Sequence, residues 1–281
     1  YKNTSVIGNV SFQLKKGAIM SNVTPTTSAT FAQIYSSPVS IPGFSDIDND
    51  GDLDILTFSS SGFSLEYHKN MSKELYGIAD SLVYQLDEYT WGNISETNCV
   101  VSLNQFMKET SSFEQQKVLH SGSCLMCFDR DNDGDKDLIL GDISCSTLHY
   151  LENGGTISNA HMVDTTKLYP NYPNKASTQV IKINQFPCTY NLDINNDGKK
   201  DLIASPNTSN SENSASVWYY QNTSATPTAN FTFVKSNFLQ DDMIELGEGA
   251  FPAFLDVDAD GLLYMVIGNH GYYVGTSNQT Q

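Results

Sequence analysis

The 281-residue chain carries 32 acidic against 15 basic residues, a net charge of −17, and a single arginine, Arg130. That balance excludes the basic patch of a nucleic-acid binder, and no apolar run approaches the ~18–20 residues of a membrane-spanning helix. Fourteen Phe and fifteen Tyr, frequent turn residues and no long helical periodicity predict an all-β chain, long enough to bury a sizeable core as a single domain over 1–281.

In chain order, Tyr1 to Asn3 has the look of the end of an aromatic strand, and Phe12 to Leu14 alternates like another strand. An acidic loop opens at Asp46. The short apolar run Leu53 to Leu56 follows, then an aromatic segment Leu65 to Asn70 and an alternating stretch Ser81 to Leu86. Residues 104–120 are expected to hold a helical turn or an irregular insertion. The cycle then returns: an acidic loop at Asp129, apolar Leu138 to Leu140, aromatic Leu148 to Asn153. It returns again with a loop at Asp193, Leu202 to Ala204, a polar surface loop over 207–216, Val217 to Asn222 and Phe231 to Val234. A last loop opens at Asp256, ahead of Met265 to Ile267, and the chain ends near Tyr272 and Tyr273, inside another such unit. Runs of this length, bounded by Gly, Pro and Asn, read as buried strands.

The loops carry the chemistry. Acidic or amide side chains stand at positions 1, 3, 5 and 9 with Gly at position 6: Asp46, Asp48, Asp50, Gly51 and Asp54; Asp129, Asp131, Asp133, Gly134 and Asp137; Asp193, Asn195, Asp197, Gly198 and Asp201. The fourth has Asp256, Asp258, Asp260 and Gly261, with Tyr264 at position 9. Calcium takes six to eight oxygen ligands, alternate residues of a tight loop can all point at one ion, and the Gly frees the backbone for the sharp turn. The starts lie 83, 64 and 63 residues apart, so the loop belongs to a repeated unit. An EF-hand would need a bidentate Glu at position 12; here that position holds Thr57, Leu140, Ala204 and Ile267. Half of the acidic residues, 16 of 32, lie in these loops, so metal accounts for most of the acidity, and binding should be coupled to folding.

On these residues the chain resembles the FG-GAP/VCBS repeats of integrin-type β-propellers and of secreted bacterial proteins. The resemblance covers nearly the whole chain. It implies four-stranded blades, with the acidic loop joining the first two strands of each blade and binding Ca²⁺. Tyr264 departs from the pattern, so three good calcium sites and a fourth, weaker or water-completed one are expected. The chain begins inside one blade and ends inside another. Either the two share a blade and close a ring, or the chain is part of a longer propeller, the reading preferred here.

Other features bear less weight. Cys124 and Cys145, flanking the second loop, are the pair chosen for a disulfide. The two cysteines Cys124 and Cys127 are spaced like a chelating pair, but residues three apart in a strand face opposite sides, and no second such pair completes a zinc site. His68, His120, His149, His161 and His270 are scattered, with His68 and His149 expected on an outer strand surface. Outside the loops, Asp241, Asp242, Glu245 and Glu248 read as a solvated turn. No nucleophile elbow, zinc-protease helix, phosphate loop or dinucleotide fingerprint occurs. The expectation is a secreted or cell-surface calcium-binding propeller, a non-catalytic adhesion module for a protein or carbohydrate ligand, its composition resembling a Bacteroidetes-type exoprotein. The alternatives are a propeller polysaccharide lyase or hydrolase, and a structural spacer of a large surface adhesin. The nine Asn-x-Ser/Thr sequons matter only in a eukaryotic source.

Overall fold

A computed structural model describes residues 2–24, 28–60, 62–97, 99–104, 122–172, 178–208, 211, 214–247 and 249–271. The expected irregular stretch 104–120, apart from Asn104, lies outside the described residues, as do Tyr272, Tyr273, His120 and Glu248. The chain is all-β. Two compact units divide it, residues 1–138 with 151–165 and residues 139–150 with 166–281.

A short antiparallel pair comes first, β1 (Lys2–Asn3) and β2 (Phe12–Gln13), then a hairpin of β3 (Met20–Asn22) and β4 (Phe31–Gln33). Next stand β5 (Gly43–Ser45), β6 (Asp54–Phe58), β7 (Leu65–Asn70) and β8 (Tyr84–Glu88), each antiparallel to the one before. A five-residue helix, α1 (Ser72–Tyr76), lies between β7 and β8 and ends on Gly77, whose φ of 72° suits a residue without Cβ. The hairpin β9 (Ile94–Thr97) and β10 (Val100–Leu103) follows. Two four-stranded sheets come after it in simple sequential order: β11 (Ser123–Phe128), β12 (Asp137–Asp142), β13 (His149–Asn153) and β14 (Met162–Thr166), then β15 (Pro187–Leu192), β16 (Asp201–Pro206), β17 (Trp218–Asn222) and β18 (Phe231–Lys235). The chain closes on the pair β19 (Phe251–Leu255) and β20 (Tyr264–Gly268).

Each acidic loop joins an edge strand of a sheet to its neighbour: β5 to β6, β11 to β12, β15 to β16, β19 to β20. The apolar run after each of the first three loops is the core. β6, β11 and β12 are buried along their whole length. Leu138, Ile139 and Leu140 are at most 1% exposed, and a side chain of that size contributes roughly 1.5–3 kcal/mol when removed from water. Aromatic rings complete the packing: Tyr150 of β13 stacks on Tyr169, in the segment after β14, at 4.9 Å, and Phe231 of β18 stands edge-on to Tyr169 at 6.2 Å. The last pair differs: β19 is exposed throughout and β20 nearly so.

One pairing has no counterpart in the sequence pattern. β3 joins β8 in parallel, Ser21 opposite Tyr84, and extends the first sheet to six strands. The bond from Ser21 Oγ to His68 Nδ1, 2.9 Å, ties the added hairpin to β7. His68 and His149 are 2% and 5% exposed, so they are core residues and not outer-surface ones. The expected Cys124–Cys145 disulfide is also corrected. Cys124, Cys127 and Cys188 are buried and take no part in a disulfide, whereas Cys145 is disulfide-bonded. The reason is register: β12 ends at Asp142, so Cys145 sits in the turn beyond it, its N–H bound to the Asp142 carbonyl, and not opposite β11.

Candidate metal centre

The four loops share one backbone. Position 4 is left-handed in each, at Asn49 (φ 60°), Asn132 (65°), Asn196 (58°) and Ala259 (62°). So is the Gly at position 6, with φ between 85° and 99° at Gly51, Gly134, Gly198 and Gly261. Asn tolerates that region better than other residues with a side chain, which is the signal at position 4 that reading the carboxylates alone passes over.

Hydrogen bonds fix the carboxylates. The position 6 N–H donates to the position 1 carboxylate: Gly51 to Asp46 Oδ2 (3.0 Å), Gly134 to Asp129 Oδ2 (3.1 Å), Gly198 to Asp193 Oδ2 (3.0 Å) and Gly261 to Asp256 Oδ2 (2.9 Å). The position 7 N–H donates to Oδ1 at position 5 in the same way, onto Asp50, Asp133, Asp197 and Asp260 at 2.8–3.1 Å. In the second, third and fourth loops the other oxygen of the position 1 Asp also accepts a loop N–H, from Asn132, Asp197 and Asp260. The result brings together Asp46, Asp48 and Asp50; Asp129, Asp131 and Asp133; and Asp256, Asp258 and Asp260, with one oxygen of each residue within 4.8 Å of the others in its group. In the third loop Asn195 replaces a carboxylate and its amide donates to Asp197 Oδ2 at 3.1 Å. In the first loop Asp46 Oδ1 and Asp50 Oδ2 are buried and have no hydrogen-bond partner. Leaving buried carboxylate oxygens without a donor is costly unless a cation stands there.

Position 9 has other partners. Asp54, Asp137 and Asp201 are 0%, 2% and 0% exposed. Oδ2 of each accepts the position 2 N–H, from Ile47, Arg130 and Ile194 at 2.8, 3.0 and 3.2 Å. Oδ1 accepts the N–H of the Asn that ends the third strand, from Asn70, Asn153 and Asn222 at 2.8–2.9 Å. Tyr67 and Tyr219 add their hydroxyls to Asp54 and Asp201. The same Asn residues return a bond to the position 8 carbonyl, of Leu53, Lys136 and Lys200. The structure therefore does not gather position 9 with positions 1, 3 and 5; it makes position 9 a clamp between loop and third strand. Burial raises the Asp54 and Asp137 carboxyls to about 7, against the lowering effect of the backbone N–H donors. At position 9 of the fourth loop, Tyr264 donates to Asp258 Oδ2 at 3.0 Å.

Basic side chains meet the first two loops. The Lys69 ammonium bonds Asp48 Oδ2 at 2.5 Å and also Glu74. Lys136 Nζ donates to Asn49 Oδ1 at 2.6 Å, and Asn49 Nδ2 donates to the Gly134 carbonyl at 2.6 Å, so the first loop is bonded to the second.

Two other places have the outline of a site. Ser21, His68 and Glu66 form a Ser–His–carboxylate line, with Glu66 Oε2 3.5 Å from His68 Nε2. Ser21 is 0% exposed, so its hydroxyl has no substrate access and the line serves as a tie between strands. In the second unit a groove of about 570 Å³ is lined by Tyr219, Lys235, Phe238, Leu239 and the Asp241–Met243 turn, within the ~300–1,000 Å³ usual for ligand pockets.

No protein-family model and no curated protein matches the chain. Among solved structures it is similar to a lectin from Agrocybe aegerita, described for its specific recognition of non-reducing terminal N-acetylglucosamine, at 12% identity with a TM-score of 0.34. The match covers 81% of this chain and 46% of the lectin, so this chain spans about half the length of that protein. A likeness at that score carries no argument about fold or function here.

Proposed function

We propose that the chain is a calcium-stabilised repeat module of the FG-GAP/VCBS kind, built as a β-propeller or part of one, and that it presents a rigid surface for a protein or carbohydrate ligand outside the cell. The observation that carries this reading is the repeated loop, in which three carboxylates converge in the first, second and fourth copies and, in the first, two buried oxygens have no donor. An all-oxygen donor set, carboxylate but for the Asn195 amide, suits a hard divalent cation, and Ca²⁺ above all. Asp46, Asp48 and Asp50, Asp129, Asp131 and Asp133, Asp193, Asn195 and Asp197, and Asp256, Asp258 and Asp260 would hold the ions. Asp54, Asp137 and Asp201 would orient the loops, each still having lone pairs to offer a metal. Bound calcium would neutralise the mutual repulsion of the loop carboxylates and lock the turn between two core strands.

Blade-like packing supports the propeller form. The first strand of one sheet borders the first strand of the next: Ile41, just before β5, exchanges backbone bonds with Ser123 and Leu125 of β11 at 2.7 and 3.0 Å. A Cβ on Gly43 of β5 would stand 3.2 Å from Cys127 Sγ. In the second unit Gly141 of β12 lies so close to β15 that a Cβ there would overlap the Pro187 carbonyl oxygen. The groove beside Tyr219 and Phe238 is the ligand surface we favour. Aromatic faces with a neighbouring Lys and Asp suit a sugar or a peptide.

Thermal unfolding in EGTA and in millimolar Ca²⁺, on the natural sequence and on Asp131→Ala, tests the reading. Calcium should raise the melting temperature, and the substitution should reduce the gain. Identical melting with and without calcium would sink it.

A further inference from the structure

The loops diverge at position 7, which is Asp52, Asp135, Lys199 and Leu262. In the first and third loops this side chain turns toward the segment that follows the third strand. Lys199 Nζ donates to the Ser224 carbonyl at 2.6 Å. Ser224 stands two residues beyond Asn222, as Ser72 stands two beyond Asn70. Asp52 turns to that equivalent place: its Oδ2 accepts the Ser72 hydroxyl at 2.8 Å and the Lys73 N–H at 3.1 Å. Where the third loop brings its own ammonium, the first brings a carboxylate.

That carboxylate is only half satisfied. Asp52 is 2% exposed, and its Oδ1 is buried with no hydrogen-bond partner. Asp50 Oδ2 is in the same condition. Asp50, Asp52 and Glu74 each place one carboxylate oxygen within 4.8 Å of the other two. Glu74 comes from α1, the one helix among the described residues. Of the three, Asp52 is buried, Asp50 is half-buried, and Glu74 is exposed and paired with Lys69, so the Asp52 oxygen that lacks a donor is the group a cation would serve.

We propose that Asp50, Asp52 and Glu74 form a second divalent-cation seat in the first loop, beside the group of Asp46, Asp48 and Asp50 and sharing Asp50 with it. The seat takes a hard cation of the calcium class, because every donor is a carboxylate oxygen. It rests on the calcium reading of the loops and adds an ion that the loop pattern does not count. The second loop lacks it: Asp133 and Asp135 are present, but the residue four past Asn153 is Ile157, where Glu74 is four past Asn70. Ile157 lies over the second loop as Lys73 lies over the first, its Cδ1 3.7 Å from a Cβ built on Gly134, against 3.6 Å from Lys73 Cε to one on Gly51.

Calcium titration by calorimetry, with the metal alone as probe, tests the seat on the natural sequence, Glu74→Gln, Asp46→Asn, the double variant and Lys69→Met. Glu74→Gln should bind one calcium fewer per chain, Asp46→Asn one fewer, and the double variant two fewer. Lys69→Met, which keeps Glu74 but removes its ion pair, should keep the full number. An unchanged count in Glu74→Gln while Asp46→Asn loses one overturns the seat alone. Loss of the same ion in Lys69→Met also overturns it, because the ion pair and not a ligand would then be responsible. A natural sequence that binds no calcium overturns both the seat and the proposed function.

Discussion

Replacing Asp201 by Ala should destabilise the calcium-free protein, and this separates the clamp at position 9 from the cation group at positions 1, 3 and 5. Asp201 is fully buried and accepts three bonds, from Asn222 N at 2.8 Å, Ile194 N at 3.2 Å and Tyr219 Oη at 3.1 Å. A hydrogen bond to a charged acceptor contributes about 1.5–3 kcal/mol, and a stranded buried donor costs about 1–3 kcal/mol. Because three bonds to one group do not add fully, we expect a loss on the order of 4 kcal/mol, at the upper end for a single substitution. At about 2–4 °C per kcal/mol for a domain of this scale, the melting temperature should fall by roughly 8–16 °C. The assay is thermal and urea unfolding in EGTA, with Asp197→Ala as the comparison. Asp197 is exposed and its bonds lie within its own loop, to Lys199 N and the Asn195 amide, so its loss should cost less than ~1 kcal/mol without metal. Asp201→Asn keeps one good acceptor and should fall between the two. If Asp201→Ala melts with the natural sequence in EGTA and differs only when calcium is present, position 9 is a metal ligand and nothing more.

Further expectations follow from the same geometry. Ala259 sits at φ 62° where the other loops use Asn, a conformation that costs an ordinary side chain about 1–2 kcal/mol, so Ala259→Gly should raise the urea midpoint by a net ~0.5–1 kcal/mol; a lowered midpoint would contradict the strain. Tyr264→Asp restores the position 9 carboxylate and frees Asp258 from its 3.0 Å bond to the tyrosine hydroxyl, so calcium should bind the fourth loop more tightly, read as a steeper gain in melting temperature with calcium. Glu88 has its carboxyl raised from 4.5 to about 7, first by burial and then by Asp87. A raised carboxyl favours the protonated folded form, so this group withdraws stability as pH climbs from about 4.5 to about 7, by up to ~3 kcal/mol, and the loss is complete above that. Glu88→Gln should therefore be more stable than the natural sequence at pH 8 and equal to it near pH 4; equal stability at both would show that Glu88 ionises freely.

Much of the strand order was legible in the sequence because its causes are local. A short apolar run between turn residues has few ways to satisfy its backbone except as a buried strand, and Leu138 to Leu140 and Leu202 to Ala204 behave so. The loops were legible for the same reason: Asp at alternate positions with Gly at the sixth encodes its own Asx bonds and left-handed turn, whatever surrounds it. At position 9 the nine residues show one more oxygen but not its further partner, an Asn that arrives 16 residues later at Asn70 and Asn153 and 21 later at Asn222. Only the pairing of the second and third strands brings the two together.

What the sequence by itself determined, then, is the repeated loop and the strand that follows it, because both are set by neighbours in the chain. The tertiary structure decided which carboxylates meet. It turned Asp52 and Glu74 toward one another across a strand, placed Asn49 on the second loop, and docked Ser21 against His68 through a parallel pairing of β3 with β8. It also carried Cys145 past the end of β12 and away from Cys124. Each of these depends on register and on the path of a connecting segment, which distant burial fixes and local preference does not.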